Sequence, residues 1–131
     1  MVVSAHPLAS DIGIAILKKG GNASDATVAV QFALAVVYPS AGNIGGGGFF
    51  VYRSNKGSYS TLDFREEAPI SASRDMYLDS NDKVIKNLSL YSHKAVGVPG
   101  TVDGMFEIHQ KYGKLKSVSY THLRAHETWA H

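Results

Sequence analysis

Apolar residues recur at a helical period near the start of the chain, where they predict an amphipathic helix. Leu8, Ile12 and Ile16 lie four positions apart, which places them on one face of a helix over residues 8–19. Gly20 follows the last turn and provides a residue that ends helices readily. The pattern therefore predicts one helix with a single buried stripe.

The next segment, SDATVAVQFALAVV, is apolar nearly all round and rich in alanine. A helix with this pattern is buried on more than one face. Asn22 is a preferred N-cap residue, and Asp25 lies three positions later at the positive end of the helix. The helix is predicted to stop at Tyr38, because the residue before Pro39 is disfavoured in the α conformation.

The pattern changes after the four consecutive glycines at 45–48. Two runs rich in aromatic and β-branched residues, FFVYRS and SYSTLDF, flank the turn sequence around Asn55 and Gly57. They predict a β-hairpin.

The long segment after the hairpin, residues 68–100, shows little periodicity and many turn residues. We expect it to be an irregular segment on the surface that contains one short strand. Val102 and Phe106 then return to helical spacing, and this helix is predicted to end near Tyr112 and Gly113.

Composition limits the classes of function. The chain has 131 residues, 44% of them hydrophobic and 18% charged, with a net charge of +2. It fits one small domain, and the absence of a basic cluster argues against nucleic-acid binding. There is no cysteine, which excludes disulfides and thiolate chemistry. The first residues do not resemble a signal peptide, and the longest apolar run, residues 26–37, is too short to span a bilayer.

The glycine run does not match a nucleotide-binding loop. A P-loop requires a Lys-Ser or Lys-Thr pair and a following helix, and a dinucleotide fingerprint runs from strand to glycines to helix. Here the order is helix, glycines, strand. The sequence therefore predicts a tight corner where one backbone segment crosses another, while a role in lining a cleft stays open.

Arg65 is the candidate binding residue. It follows the second predicted strand in the segment LDFREEAP, and its planar guanidinium can grip a carboxylate through two parallel hydrogen bonds. The alternative is a surface ion pair with Glu66, Glu67 or Asp63. A serine nucleophile motif of the form G-x-S-x-G is missing from the sequence.

The C-terminal stretch VSYTHLRAHETWAH carries two histidines four positions apart, His122 and His126, with Glu127 beside them. On a helix such spacing suits a metal site, although the order is not H-E-x-x-H. His131 ends the same stretch. The three histidines outside it are isolated, and we expect them to be structural: His6, His93 and His109.

Several segments together resemble the γ-glutamyltranspeptidase family (γ-glutamyltransferase, glutathione hydrolase). They are the GGNA-DA helix pair, the P-x-x-G-N-x-G-G-G-G loop, the D-F-R-E-x-A-P segment and V-P-G-T-V-x-G. The resemblance covers residues 1–117. The stretch 118–131 does not resemble the family's continuation, and we interpret it as a non-native, adapter-derived tail, which removes the metal hypothesis at His122 and His126.

The resemblance implies an N-terminal nucleophile hydrolase of mixed α/β (α+β) class with an αββα sandwich, of which this chain would be a fragment. Such a proenzyme cuts itself into a large and a small subunit. The new N-terminal threonine of the small subunit attacks the γ-glutamyl amide of glutathione or a related donor, and the resulting ester passes the group to water or to an acceptor amino acid.

Within this family, the arginine of the D-F-R-E motif grips the α-carboxylate of the γ-glutamyl group, which here implies Arg65. The resemblance implies no catalytic residue within this chain, because the threonine lies downstream, and neither a metal nor a cofactor. It implies the small subunit as a partner and a periplasmic, extracellular or membrane-associated parent protein. The alternatives are an inactive truncated fragment and a related N-terminal nucleophile acylase.

Overall fold

The computed structural model describes residues 1–116, which form a mixed helix-and-strand fold. In chain order the elements are α1 (Pro7–Lys18), α2 (Ala23–Val37), β1 (Phe49–Arg53), β2 (Tyr59–Asp63), α3 (Leu88–Tyr91), a 3₁₀ turn (His93–Ala95) and α4 (Thr101–Tyr112). The tail predicted to be non-native lies outside the described residues.

Helix α1 confirms the first predicted helix, and its buried stripe is confirmed at Ile12 and Ile16 but not at Leu8. Pro7 occupies its first turn, and Nδ1 of His6 accepts a hydrogen bond from the Leu8 amide at 3.3 Å. Ile16 is fully buried, as expected, whereas Leu8 is 45% exposed and Ala9 is buried in its place. The stripe was wrong only in the first turn, where the side that faces α2 carries Ala9 and not Leu8.

Helix α2 confirms its predicted limits and its cap. The side chain of Asn22 accepts from the amide of Asp25 at 3.0 Å, and the Asp25 carboxylate accepts from the amide of Asn22 at 2.8 Å. This reciprocal pair forms a capping box. Helix α2 packs against both α1 and α4, as its apolar pattern predicts.

Strands β1 and β2 form the predicted antiparallel hairpin, with Phe49 opposite Asp63 and Arg53 opposite Tyr59. Its inner face packs on the helices. There the ring centroids of Tyr52 and Tyr112 lie 4.6 Å apart, which joins the hairpin to the end of α4. The outer face carries exposed large side chains: Phe49, Val51 and Tyr59.

Helix α4 confirms the last predicted helix, but the apolar residues whose spacing predicted it are exposed. Val102 and Phe106 face solvent in the described part of the chain, while Met105 and Ile108 are buried. Two apolar stripes share this helix, and the side that packs on α2 decides which one is buried.

The segment between the hairpin and α4 is largely irregular, as predicted. It contains isolated β-bridges between Glu67 and Val98 and between Leu78 and Val84 in place of the expected strand. The short helix α3 was not expected. Within residues 1–116, the helices are too short or too polar to cross a membrane.

Candidate functional site

Arg65 lies at a sharp corner just beyond β2. The amide of Phe64 donates to the carbonyl of Gly48 at 3.0 Å, which extends the hairpin ladder by one bond. The next amide, that of Arg65, instead donates to Oδ1 of Asp63 at 3.0 Å. A carboxylate that accepts from the amide two residues later forms an Asx turn, so Asp63 turns the chain out of the sheet at Arg65.

Two glycines enclose the main chain at this corner. A Cβ added to Gly47 would lie 2.5 Å from the carbonyl oxygen of Phe64 and 2.6 Å from Cα of Arg65. A Cβ added to Gly100 would lie 2.9 Å from the carbonyl carbon of Phe64 and closer still to its oxygen. Side chains at either position would therefore displace the backbone that carries Arg65.

The glycine run also holds the start of α4. The carbonyl of Gly46 accepts from the amides of Gly100 and Thr101, both at 3.0 Å. These are amides at a helix start, which lack partners within the helix. The prediction that the tetraglycine segment is a corner where backbones cross is confirmed: it lies against the Phe64–Arg65 main chain and the first residues of α4.

The side chain of Phe64 anchors the same corner from the other side. A Cβ added to Gly104 on α4 would lie 2.7 Å from Cβ of Phe64, and one added to Gly48 would lie 3.1 Å from its ring. The missing side chains at Gly48 and Gly104 thus leave the space that the ring occupies. Arg65 follows directly, so its backbone position is fixed on both faces.

The guanidinium of Arg65 is accessible, and its side chain is 63% exposed. Its Nε lies 3.5 Å from Oε2 of Glu66, and its Cζ lies 5.9 Å from the ring centroid of Phe49. The ion pair with Glu66 is the alternative that the sequence left open. An exposed pair of this kind contributes only about 0–1 kcal/mol, so a ligand carboxylate can compete with Glu66 for the guanidinium.

An open cavity of about 500 Å³ adjoins this corner. Its lining includes Arg65 together with several carboxylates: Glu66, Glu67, Asp103 and Glu107. Glu107 is already engaged, because it accepts a hydrogen bond from Lys111 one turn later on α4. That hydrogen bond and the charge of Glu107 raise the pKa of Lys111 above its usual value. Arg65 therefore stands as a cation beside an acidic surface.

The histidines of the described part behave as structural residues where contacts are seen. His6 caps α1, and Nε2 of His109 lies 2.8 Å from the carbonyl oxygen of Leu115. Residues 1–116 contain no cluster of acidic, histidine or cysteine side chains suited to a metal ion. The sequence hypothesis at His122 and His126 lies outside the described residues.

Two features of the corner were missed from the sequence. Gly100 has a φ of −105° and a ψ of −8°, a right-handed conformation open to other residues, so no turn rule marks it as an obligatory glycine. Phe49 reads as a strand residue like its neighbours. Its position could have been found from the hairpin register, since it pairs with Asp63, two residues before Arg65.

The family of the chain follows from comparison of its sequence with known proteins. Residues 9–120 match the family model described as gamma-glutamyltranspeptidase. The chain belongs to the γ-glutamyltranspeptidase family. The resemblance seen in the motifs is thereby confirmed.

The relatives include the glutathione hydrolase proenzyme of Pseudomonas sp. (strain A14), which is 57% identical over 113 residues. That alignment covers 86% of this chain and 20% of the relative, so the chain spans about a fifth of the length of the relative.

Solved structures of γ-glutamyltranspeptidases share the fold. The Helicobacter pylori enzyme is 53% identical, with a TM-score of 0.80 over 88% of this chain and 33% of that one. The Pseudomonas nitroreducens enzyme complexed with L-DON is 51% identical, with a TM-score of 0.81 over 91% and 35% of the two chains. The fold described above is therefore a fragment of the N-terminal nucleophile hydrolase fold, as expected.

Proposed function

We propose that this chain is the N-terminal part of the large subunit of a γ-glutamyltransferase or glutathione hydrolase. The parent protein would cleave the γ-glutamyl amide of glutathione and related donors. It would transfer the γ-glutamyl group, through an ester on a threonine of the small subunit, to water or to an acceptor amino acid. The chain supplies substrate recognition, and the nucleophile comes from the small subunit made from the same precursor.

Within that reaction we assign to Arg65 the binding of the α-carboxylate of the γ-glutamyl group. The observation that supports this role is an exposed guanidinium on a closely packed backbone, since Gly47 and Gly100 lie directly against the main chain of Phe64 and Arg65. A planar fork of donors held in one place suits bidentate binding of a carboxylate. The weak exposed pair with Glu66 keeps the fork solvated until a substrate arrives.

The test uses a complete enzyme, here called the chimeric proenzyme. In it, residues 9–116 of this chain replace the matching segment of the glutathione hydrolase proenzyme of Pseudomonas sp. (strain A14). We expect Arg65→Lys to raise the KM for a chromogenic γ-glutamyl anilide by roughly 10- to 100-fold, because a lysine cannot form the paired hydrogen bonds. Self-cleavage into two subunits, followed on a denaturing gel, should continue.

Arg74→Lys is the matched control. Nε of Arg74 lies 3.4 Å from the carboxylate of the following residue, Asp75, so it repeats the local pairing of Arg65 away from the glycine corner. We expect its KM to stay at the parental value. An unchanged KM in the Arg65→Lys variant would remove Arg65 from the substrate site.

The isolated chain is proposed to have no activity of its own. We expect residues 1–131, expressed alone, to release no product from the γ-glutamyl anilide, because the threonine nucleophile belongs to the small subunit. Activity of the isolated chain at the rate of the chimeric proenzyme would contradict the assignment of the nucleophile to the small subunit.

The related acylase is the second candidate, and the kcat/KM for donors with and without an α-carboxylate separates it from a γ-glutamyltransferase. An acylase acting on another amide would not depend on the α-carboxylate, whereas a γ-glutamyltransferase should discriminate strongly against a donor that lacks it.

We further propose that the parent protein acts in the periplasm, outside the cell or at a membrane, as the family resemblance implies. The boundary between the family segment (1–117) and the tail (118–131) also stays a prediction.

A further inference from the structure

We propose that Phe49 is a positioning residue for the guanidinium of Arg65, so that its ring sets the direction in which the fork meets a substrate carboxylate. This inference rests on the role of Arg65 proposed above. The observation that carries it is the location of Cζ of Arg65 over the ring of Phe49, 5.9 Å from the ring centroid.

The hairpin register explains why the two side chains meet. Phe49 lies directly opposite Asp63 on the outer face of the sheet. Arg65 is two residues beyond Asp63, just past the end of β2, so both side chains lie at the same end of the hairpin. The Asx turn at Asp63 fixes where Arg65 leaves the sheet, and this places its side chain beside Phe49.

A ring holds a guanidinium in a way that a carboxylate cannot. The attraction acts between the cation and the π face, so it leaves the N–H donors of Arg65 available to a ligand. Glu66, in contrast, approaches Nε itself at 3.5 Å and competes with the ligand for that side of the fork. Phe49 can therefore restrict the rotamers of Arg65 at no cost in hydrogen-bond donors, which lowers the entropy lost on binding.

Phe49 lies outside the core that residues 1–116 form among themselves. The side chain is 65% exposed within the described part of the chain, although its neighbour Phe50 is only 8% exposed. Phe49 therefore adds little to the core of these residues, and its ring contact is with Arg65.

The same sheet face supplies a matched control. At the opposite end of the hairpin, Cζ of Arg53 lies 5.8 Å from the ring centroid of Tyr59, and Tyr59 is 74% exposed. This second pair has the same type of contact and a similar exposure, but it involves an arginine to which no substrate role is assigned. Replacing Tyr59 therefore measures the cost of losing an outer-face ring as such.

The experiment compares Phe49→Leu and Tyr59→Leu in the chimeric proenzyme. We expect Phe49→Leu to raise the KM for the γ-glutamyl anilide by roughly 2- to 5-fold, the size of an exposed cation–π contact, while kcat changes by less than about 2-fold. Tyr59→Leu should leave both values unchanged. Phe49→Tyr keeps an aromatic ring at this position, so its KM should equal that of the parental chimeric proenzyme.

Two further measurements separate positioning from a structural role. The 4-aminobutanoyl anilide is the same donor without its α-carboxylate, and we expect Phe49→Leu to leave its kcat/KM unchanged. In an Arg65→Lys background, Phe49→Leu should produce a smaller rise in KM than it does alone. A loss shared equally by both donors, or an effect of full size without Arg65, overturns the proposal.

The results also separate the role of Phe49 from the proposed role of Arg65 in binding the substrate carboxylate. If Arg65→Lys leaves KM unchanged, the role of Arg65 fails and the role of Phe49 fails with it. If Arg65→Lys raises KM while Phe49→Leu does not, only the role of Phe49 fails. Should the leucine variant not mature into two subunits, Phe49→Met is judged by the same criteria, because it also removes the ring while keeping a flexible apolar side chain.

Discussion

Gly100→Ala is expected to reduce the yield of soluble, self-cleaved chimeric proenzyme by at least about tenfold, the consequence of a stability loss of about 3 kcal/mol. The added methyl would overlap the Phe64 carbonyl, and its carbonyl carbon would be only 2.9 Å away. The helix cannot retreat without breaking the bonds from the amides of Gly100 and Thr101 to the carbonyl of Gly46. Yield is measured as the fraction of expressed protein recovered as two subunits.

Gly45→Ala is the control for this substitution. It adds the same methyl to the same glycine-rich corner, but the nearest atom would be Oδ1 of Asn43 at 3.2 Å, which belongs to an exposed side chain and not to the backbone. That oxygen accepts from the amide of Gly45 at 2.7 Å, and water can replace this hydrogen bond if the side chain shifts. We expect a yield close to that of the parent. A Gly100→Ala protein that matures normally and keeps the parental KM would show that the corner tolerates a side chain and that Arg65 does not depend on it for its position.

Asp25→Asn should destabilise the other end of α4 by about 3 kcal/mol, because it leaves buried amides without full-strength acceptors. Asp25 is fully buried. Its carboxylate accepts from the amides of Asn22 at 2.8 Å, Lys114 at 3.0 Å and Leu115 at 3.3 Å. An asparagine offers one acceptor oxygen, and its NH₂ group would face donors. Peptide-resolved hydrogen exchange over residues 111–116 should accelerate by roughly 100-fold.

Asp79→Asn is the matched control for Asp25. The carboxylate of Asp79 also accepts from backbone amides, those of Asn81 at 2.8 Å and Lys83 at 3.0 Å, but it is exposed to water. Water can replace the lost acceptor there, so we expect little change in yield or in exchange. Equal effects of the two substitutions would show that burial of Asp25 contributes nothing to the strength of its bonds.

Together these contacts anchor α4 at both ends. The carbonyl of Gly46 holds its first turn, and Asp25 holds the chain just after its last turn. Between them, Gly104 lies against the side chain of Phe64. The helix therefore works as a brace for the corner that carries Arg65, and substitutions far from the guanidinium can alter substrate binding through it.

Local sequence rules predicted the elements well because they depend on neighbouring residues. The limits of α2 follow from the cap at Asn22 and from Pro39, and the hairpin follows from two β-prone runs around Gly57, which adopts a φ of +87°. The motifs also identified the family, which the matching of residues 9–120 confirms. Arg65 was found from its chemistry and from the resemblance, and its role stays a prediction.

Long-range packing was not available from the sequence. Leu8 and Val102 fit the helical stripes equally well, yet the faces chosen for burial use Ala9 and Met105, because neighbouring helices decide which side is covered. In the same way, the sequence marks Asp25 as a helix cap but gives no sign that it binds amides 89 and 90 residues away.

The sequence by itself determined the order of the elements, their caps and turns, the family and the one arginine worth testing. Each of these depends on residues that are close in the chain or on motifs that are read as a string. Only the tertiary structure decided that the glycine run meets Phe64, Arg65 and the start of α4, and that Phe49 lies beneath the guanidinium. Such contacts join segments far apart along the chain, and their distances follow from how the helices and the hairpin pack.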